Sequence, residues 1–319
     1  MRGPPVSADA GRRVRKPRDG NPETGNADST GRQRRMRSPQ SISAAALRFS
    51  VMNVPLDLDA YFRRIGWTGA TGATYATLAG LLRAHERHIP FENLDVLLGR
   101  GIALDLAALQ DKLVRARRGG YCFEHATLFA AVLEALGFAP VRHAARVVLF
   151  TPRRDAPRTH MFVSVPLAEG TFVVDPGFGS LAPEVPLPLD AQAPAQAGAS
   201  HWMARAGGDW VLRARRDGDV VDCWSSTLEA ENPIDFVVAN HYVATHPASA
   251  FRNRLMLRAL TDAGRVSVMN RDVAIADGAT SRTLQLADRR ALRELLVAHF
   301  GFDLPEVEAL RVPSIDEWQ

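Results

Sequence analysis

The hydrophobic period of this chain changes at Gly137, from the three-to-four-residue repeat of helices to the two-residue repeat of strands, and that switch limits the folds open to it. Upstream, Leu58, Tyr61, Phe62 and Ile65 occupy one helix face, with Asp57 placed to cap the first turn and Gly66 to end the last. A second helix, over about 74–88, carries Leu78, Leu81 and Leu82 and must stop before Pro90. A third, over about 105–117, carries Leu106, Leu109 and Leu113, and a fourth carries Phe129, Val132, Leu133 and Leu136. Downstream, Val141, His143, Ala145, Val147 and Leu149 alternate with other positions, as do Met161, Val163 and Val165, and Thr171 to Val174 is a short β-prone run. Asp217-Gly218, between a run with Trp210, Leu212 and Ala214 and one with Val220, Asp222 and Trp224, predicts a hairpin. A helix from Pro233, capped by Asn232, then strand-like pieces near 254–286 and a helix with Leu292, Leu295 and Leu296 follow. The expectation is an α+β protein: a helical bundle over 52–138, an antiparallel sheet able to close as a small barrel over 139–231, and a mixed region over 232–319.

With 319 residues, 46% hydrophobic and 23% charged, there is enough apolar surface for two or three cored domains. No apolar run approaches the roughly 18 residues of a membrane-spanning helix, and the first 50 residues lack the apolar stretch of a secretory signal, so no membrane partner and a cytoplasmic location are expected. Two cysteines, Cys122 and Cys223, are too sparse for a disulfide framework and read as reduced thiols. The net charge of +4 is unevenly placed. Residues 1–38 hold ten Lys or Arg against four acids, a balance of +6 that leaves −2 for the remainder. The basic character therefore belongs to an extension over residues 1–51, expected to be disordered, and argues little for a nucleic-acid partner; Met52 is an alternative natural start.

Chemistry concentrates where the two periods meet. Cys122 follows Gly119-Gly120 and precedes a helix pattern, which puts its sulfur at a helix N-terminus, where free amides and the macrodipole favour a thiolate. His160 opens the alternating run His-Met-Phe-Val-Ser-Val and Asp175 closes Thr-Phe-Val-Val-Asp. If those strands pair antiparallel, the start of one lies beside the end of the next, and Cys, His and Asp fall in the order of a papain-like triad, although the local papain signature is absent. Singly, each residue has a plain alternative: Cys122 a small buried apolar residue, His160 a strand-end surface residue, Asp175 a turn former. Cys122 and His125 also form a Cys-x-x-His pair, but no second pair stands at metal-binding spacing, and no metal is expected. Cys223, beside Trp224 in a strand-like run, reads as core.

The runs Ile89-Pro-Phe-Glu-Asn-Leu-Asp95, Arg118-Gly-Gly-Tyr-Cys-Phe-Glu124, Arg158-Thr-His-Met161 and Val174-Asp-Pro-Gly-Phe-Gly179 resemble the arylamine N-acetyltransferase family in order and spacing. The resemblance extends through Asn240-His-Tyr-Val-Ala-Thr-His-Pro247 and Ser249-Ala-Phe251. It implies three domains, a helical bundle, a β-barrel and an α/β lid, and a catalytic triad of Cys122, His160 and Asp175. It also implies ping-pong transfer of an acetyl group from acetyl-coenzyme A, as co-substrate with no permanently bound cofactor, to a small aromatic amine or hydrazine. Phe91 would line the acceptor pocket, and Gly177, Phe178, Gly179, Tyr242 and Phe251 would lie near the cofactor cleft. Two positions depart from the family pattern: Ala126, where an amide is usual, and Pro176, where an apolar residue of another kind is common. Other readings are an amide synthase acting on a larger acyl carrier and a catalytically silent binding protein.

Overall fold

A computed structural model describes residues 54–190, 200–216, 218–262, 264–278, 280–315 and 318. The basic extension and Met52 lie outside the described residues, as does Asp217 of the predicted hairpin turn. Helix α1 (Leu58–Ile65) begins where Asp57 accepts a hydrogen bond from Ala60 N and ends at Gly66 in the left-handed conformation. Helix α2 (Tyr75–His88) runs to the edge of Pro90, and β1 (Phe91–Glu92) and α3 (Leu94–Leu97) follow. The third predicted helix is split. It starts as α4 (Leu106–Leu109), capped by Asp105, and widens into a π-helical stretch over Gln110–Arg115. Such widening is common near functional sites. Here the buried Arg64 of α1 takes up the carbonyls of Leu113 and Arg117 at its end. Helix α5 (Cys122–Ala135) is apolar on nearly every side and forms the central rod of the helical layer.

Seven strands follow the change of period: β2 (Val141–Val147), β3 (Arg158–Leu167), β4 (Gly170–Val174), β5 (Leu187–Pro188), β6 (His201–Ala206), β7 (Asp209–Arg216) and β8 (Asp219–Ser226). Their order is β5-β4-β3-β2-β8-β7-β6, with all neighbours antiparallel. The end strands β5 and β6 approach each other, so the sheet is a nearly closed barrel. Its interior holds Ala145, Phe162, Val173, Leu212, Ala214, Cys223 and Trp224. The residues that gave β3 its alternation, Met161, Val163 and Val165, point the other way, into the clusters shared with α5. With both faces covered, β3 is buried along most of its length rather than on alternate residues.

The last third comprises α6 (Pro233–Thr245), α7 (Ala250–Asn253), strands β9 (Met256–Leu260), β10 (Gly264–Met269), β11 (Asp272–Asp277) and β12 (Thr280–Gln285), and α8 (Arg289–Leu295). Helix α8 passes into a π-helical turn ending at Gly301. The strands form a sheet in the order β1-β9-β10-β11-β12, whose edge strand β1 comes from the region read as purely helical. A two-residue strand has no period to announce it. Among the described residues no helix is long and apolar enough to cross a membrane.

Candidate active site

The register of β3 and β4 brings the predicted residues together. Val163 pairs with Val174, so the next positions along each strand put Phe162 across from Asp175, and His160 becomes the diagonal neighbour of Asp175 on the same face. Nε2 of His160 lies 2.7 Å from Oδ2 of Asp175. The same oxygen accepts a hydrogen bond from Nε1 of Trp224 at 2.8 Å, while Gly177 N donates to Oδ1 at 3.4 Å. Trp224 stacks on Phe162 at a centroid distance of 4.2 Å, and Phe162 lies parallel to the His160 ring at 6.5 Å. The imidazole thus stands against a fixed aromatic column.

Cys122 is the first residue of α5, and Cys122, His160 and Asp175 are all at most 3% exposed. The Cys122 thiol donates to the carbonyl of Thr159 at 3.9 Å, and the thiol stands close enough to His160 to act on the imidazole's charge. With Nε2 committed to Asp175, Nδ1 is the ring nitrogen left to face the thiol. Burial opposes a charged imidazole, but the Asp175 carboxylate and the neighbouring Cys122 outweigh it and raise His160 to about 10. The second thiol is different in kind. Cys223 lies in the barrel core, where burial pushes it up to about 12.

The two glycines, Gly119 and Gly120, shortly before Cys122 are explained by close approach. A Cβ on Gly119 would come within 2.0 Å of the Pro90 carbonyl oxygen, and one on Gly120 within 2.7 Å of the Glu124 carboxylate. Gly120 forms a parallel bridge with Phe91, in which Glu92 N donates to Gly120 O at 2.8 Å and Gly120 N to Pro90 O at 3.2 Å. Gly177 is packed on Cys122 itself, since a Cβ there would lie 2.6 Å from the Cα of that residue. Phe178 meets the His160 ring edge-on at 5.0 Å, and Gly179 packs against the Phe91 ring. Phe251 lies 6.2 Å from Phe91 and 5.3 Å from Tyr121. Gly177, Phe178, Gly179, Phe91 and Phe251 therefore gather around Cys122 and His160. Tyr242 stands apart on α6, 37% exposed and stacked on His246 at 4.4 Å.

Several contributors escape a reading from sequence. Beside the turn that leads into Cys122, Arg118 bonds Glu92 at 2.6 Å and Asp95 at 2.8 Å, and Lys112 reaches Asp95 at 2.9 Å and Glu124 at 2.8 Å. Burial opposes charge at Asp95, yet Lys112 and Arg118 hold it below the usual carboxylate range; Glu124 is raised because burial prevails over Lys112. Glu124 also accepts from Tyr121 N at 3.0 Å, anchoring the start of α5. Asn93 donates to the carbonyls of Phe251 and Arg254 and accepts from Met256 N, and the Tyr121 hydroxyl donates to Asn240. The signal for Trp224 was its indole N–H, which a buried position obliges to find an acceptor. Apart from Lys112 the others lay inside the quoted motifs, but most of their partners are more than 20 residues away.

A thiol at a helix start, beside an imidazole held by a buried carboxylate, is the grouping that thiol-nucleophile enzymes use. Comparison with known proteins narrows that class. A family model described as N-acetyltransferase matches residues 74–309. The chain is 40% identical over 266 residues to the arylamine N-acetyltransferase of Mycobacterium tuberculosis H37Rv, covering 79% of this chain and 91% of that protein. It is 35% identical over 254 residues to the arylamine N-acetyltransferase of Escherichia coli K12, covering 79% and 90%. Among solved structures, the M. tuberculosis arylamine N-acetyltransferase superposes with a TM-score of 0.73 at 38% identity, over 79% of this chain and 94% of that one. The Mycobacterium marinum arylamine N-acetyltransferase in complex with CoA does so with a TM-score of 0.73 at 34% identity, over the same shares. The chain belongs to the arylamine N-acetyltransferase family and is an acyltransferase.

Proposed function

We propose that the protein transfers an acetyl group from acetyl-coenzyme A to the nitrogen of an arylamine or arylhydrazine by a ping-pong route through Cys122. The carrying observation is the buried grouping of Cys122, His160 and Asp175, with Cys122 beside the imidazole and Nε2 of His160 2.7 Å from the Asp175 carboxylate. His160, raised to about 10, is an imidazolium at neutral pH, the partner a thiolate needs. The Cys122 sulfur attacks the acetyl carbonyl carbon, the carbon–sulfur bond to coenzyme A breaks, and the departing thiolate takes the proton of His160. The product of this half-reaction is an acetyl-cysteine thioester with a neutral imidazole. An aromatic amine is weakly basic, so its nitrogen carries a free electron pair at neutral pH. It attacks the thioester carbon, gives its proton to His160, and expels the Cys122 thiolate, which restores the ion pair.

Asp175 orients the ring and stabilises its charge, and Trp224 fixes Asp175. Phe91 lines the acceptor side, and Gly177, Phe178, Gly179 and Phe251 border the coenzyme cleft, with Tyr242 on its outer rim and residues 232–319 acting as the lid. Incubation with acetyl-coenzyme A and digestion should yield the Cys122 peptide heavier by one acetyl group, and the Cys122→Ala variant should release no coenzyme A. Undiminished turnover by that variant would sink the mechanism.

A further inference from the structure

Behind the nucleophile, three side chains form a line of hydrogen bonds that the transfer chemistry does not use. The Tyr61 hydroxyl lies 2.8 Å from Nδ1 of His85, and Nε2 of His85 lies 2.8 Å from Nδ1 of His125. Nε2 of His125 reaches two carbonyl oxygens, Gly120 at 3.1 Å and Pro90 at 3.2 Å. All three side chains are at most 1% exposed.

The chemistry of these atoms orders the protons. Carbonyl oxygens only accept, so Nε2 of His125 carries hydrogen. Burial keeps His125 neutral, at about 4, and leaves its Nδ1 bare. His85, held neutral mainly by burial, must then donate from Nε2 and accept at Nδ1, and Tyr61 supplies that last hydrogen. The opposite polarity would set the bare Nε2 of His125 against two carbonyl oxygens. The carbonyls set this direction, and Tyr61, at the far end, completes it by donating its hydroxyl hydrogen to Nδ1 of His85.

The two carbonyls belong to the two sides of the Phe91–Gly120 bridge. Gly120 O already accepts from Glu92 N, and Pro90 O from Gly120 N, so the His125 N–H straddles the joint. One side leads within two residues to Cys122, and the other leads to Phe91, whose ring packs on Gly179. We propose that His125, polarised through His85 by Tyr61, is a positioning residue for the transfer reaction, clamping the nucleophile turn to the strand that carries the acceptor-side aromatic. This rests on the reading of Cys122 as nucleophile given above.

The test compares His125→Leu, His125→Gln and Tyr61→Phe with the wild type. The readouts are the single-turnover rate of acetyl uptake on Cys122, the KM for an arylamine, and melting temperature. His125→Leu, which lacks the donor, should slow acetyl uptake about 100-fold, as expected for a small displacement of a reacting group. It should also raise the acceptor KM. His125→Gln, whose amide N–H reaches the same carbonyls, should recover most of the rate at an equal or lower melting temperature. Tyr61→Phe should slow uptake about fivefold, the effect of freeing one hydrogen-bond direction.

Rates that follow melting temperature instead of the presence of a donor would overturn the assignment. If His125→Leu does not fold, a wild-type rate in Tyr61→Phe overturns it equally. Alkylation of Cys122 by iodoacetamide needs no acyl donor and should rank the variants in the same order. A wild type that alkylates but takes up no acetyl group would refute the transfer reading, while the alkylation ranking would still decide this one.

Discussion

Trp224 and His160 share one oxygen atom: Oδ2 of Asp175 accepts from the indole at 2.8 Å and from the imidazole at 2.7 Å. The indole therefore holds the carboxylate from the barrel side while the carboxylate holds the imidazole. Trp224→Phe keeps an aromatic ring against Phe162 and removes only the donor. A hydrogen bond to a charged acceptor contributes about 1.5–3 kcal/mol, so acetylation of Cys122 should slow about tenfold or more. Stopped-flow release of coenzyme A measures this, and an unchanged burst rate would reduce Trp224 to packing.

Replacing Asp175 by Asn removes the charge that offsets burial at His160. The imidazole then loses its proton in the neutral range, and Cys122 loses its cationic partner. By analogy with carboxylate removal in other triads, the acetylation rate should fall about 10⁴-fold. The stability consequence has a definite sign. Because His160 rises from its ordinary 6.5 to about 10, the stability it contributes is complete below pH 6.5 and drains away as pH climbs through 10. Urea unfolding from pH 6.5 to 10 should show that loss in the wild type and little of it in Asp175→Asn.

The buried histidines act at the other end of the scale. Burial holds His125 at about 4, and His85 and His143 are lowered by the same cause. Their unfolded forms bind protons near pH 6.5, so the stability of the neutral fold is present above that pH and is lost as pH falls toward 4. Unfolding near pH 5.5 should take up more than one proton. Titration of the urea midpoint between pH 7 and 4.5 gives the number, and a flat curve would contradict the assignment.

Gly177→Ala forces a methyl group to within 2.6 Å of the Cα of Cys122, a backbone atom that cannot rotate away. The nucleophile or the segment after Asp175 must shift. An activity loss of about 100-fold with a smaller change in melting temperature is expected. Equal activity would place the slack in the loop.

Ala126 is fully buried in an apolar cluster with Cys122, Phe123, Met161 and Phe236. Placing an amide there by Ala126→Asn should cost about 1–3 kcal/mol, since the cluster offers an apolar surrounding to a group that needs partners. Chemical denaturation measures it, and a stabilised variant would reveal a polar contact within reach.

Much of the fold was legible because period is a local property. Asp57, Gly66 and Asn232 each mark a helix end within a few residues of the pattern they bound, and the alternation in β2, β3 and β7 located the barrel strands. The failures share one physical cause. β1, the π-helical stretch after Leu109 and the burial of β3 on both faces are set by partners far along the chain, which leave no mark on neighbouring residues.

The same division runs through the site. His160 and Asp175 could be paired from strand ends, because antiparallel register is nearly local. The roles of Asn93, Asn240, Tyr121 and Trp224 could not, since each contact spans tens of residues or more. Cys122-x-x-His125 shows the converse. Its spacing suggests a shared ligand, yet the His125 nitrogens face His85 and two carbonyls.

The pairing of β1 with β9 sets a timetable for the newborn chain. Asn93, whose motif abuts the nucleophile turn, is not engaged by Met256 until 163 further residues have been made. The ribosome, adding on the order of 5–20 residues per second, therefore releases the helix that begins at Cys122 roughly 10–30 seconds before the strand that braces its neighbour can arrive.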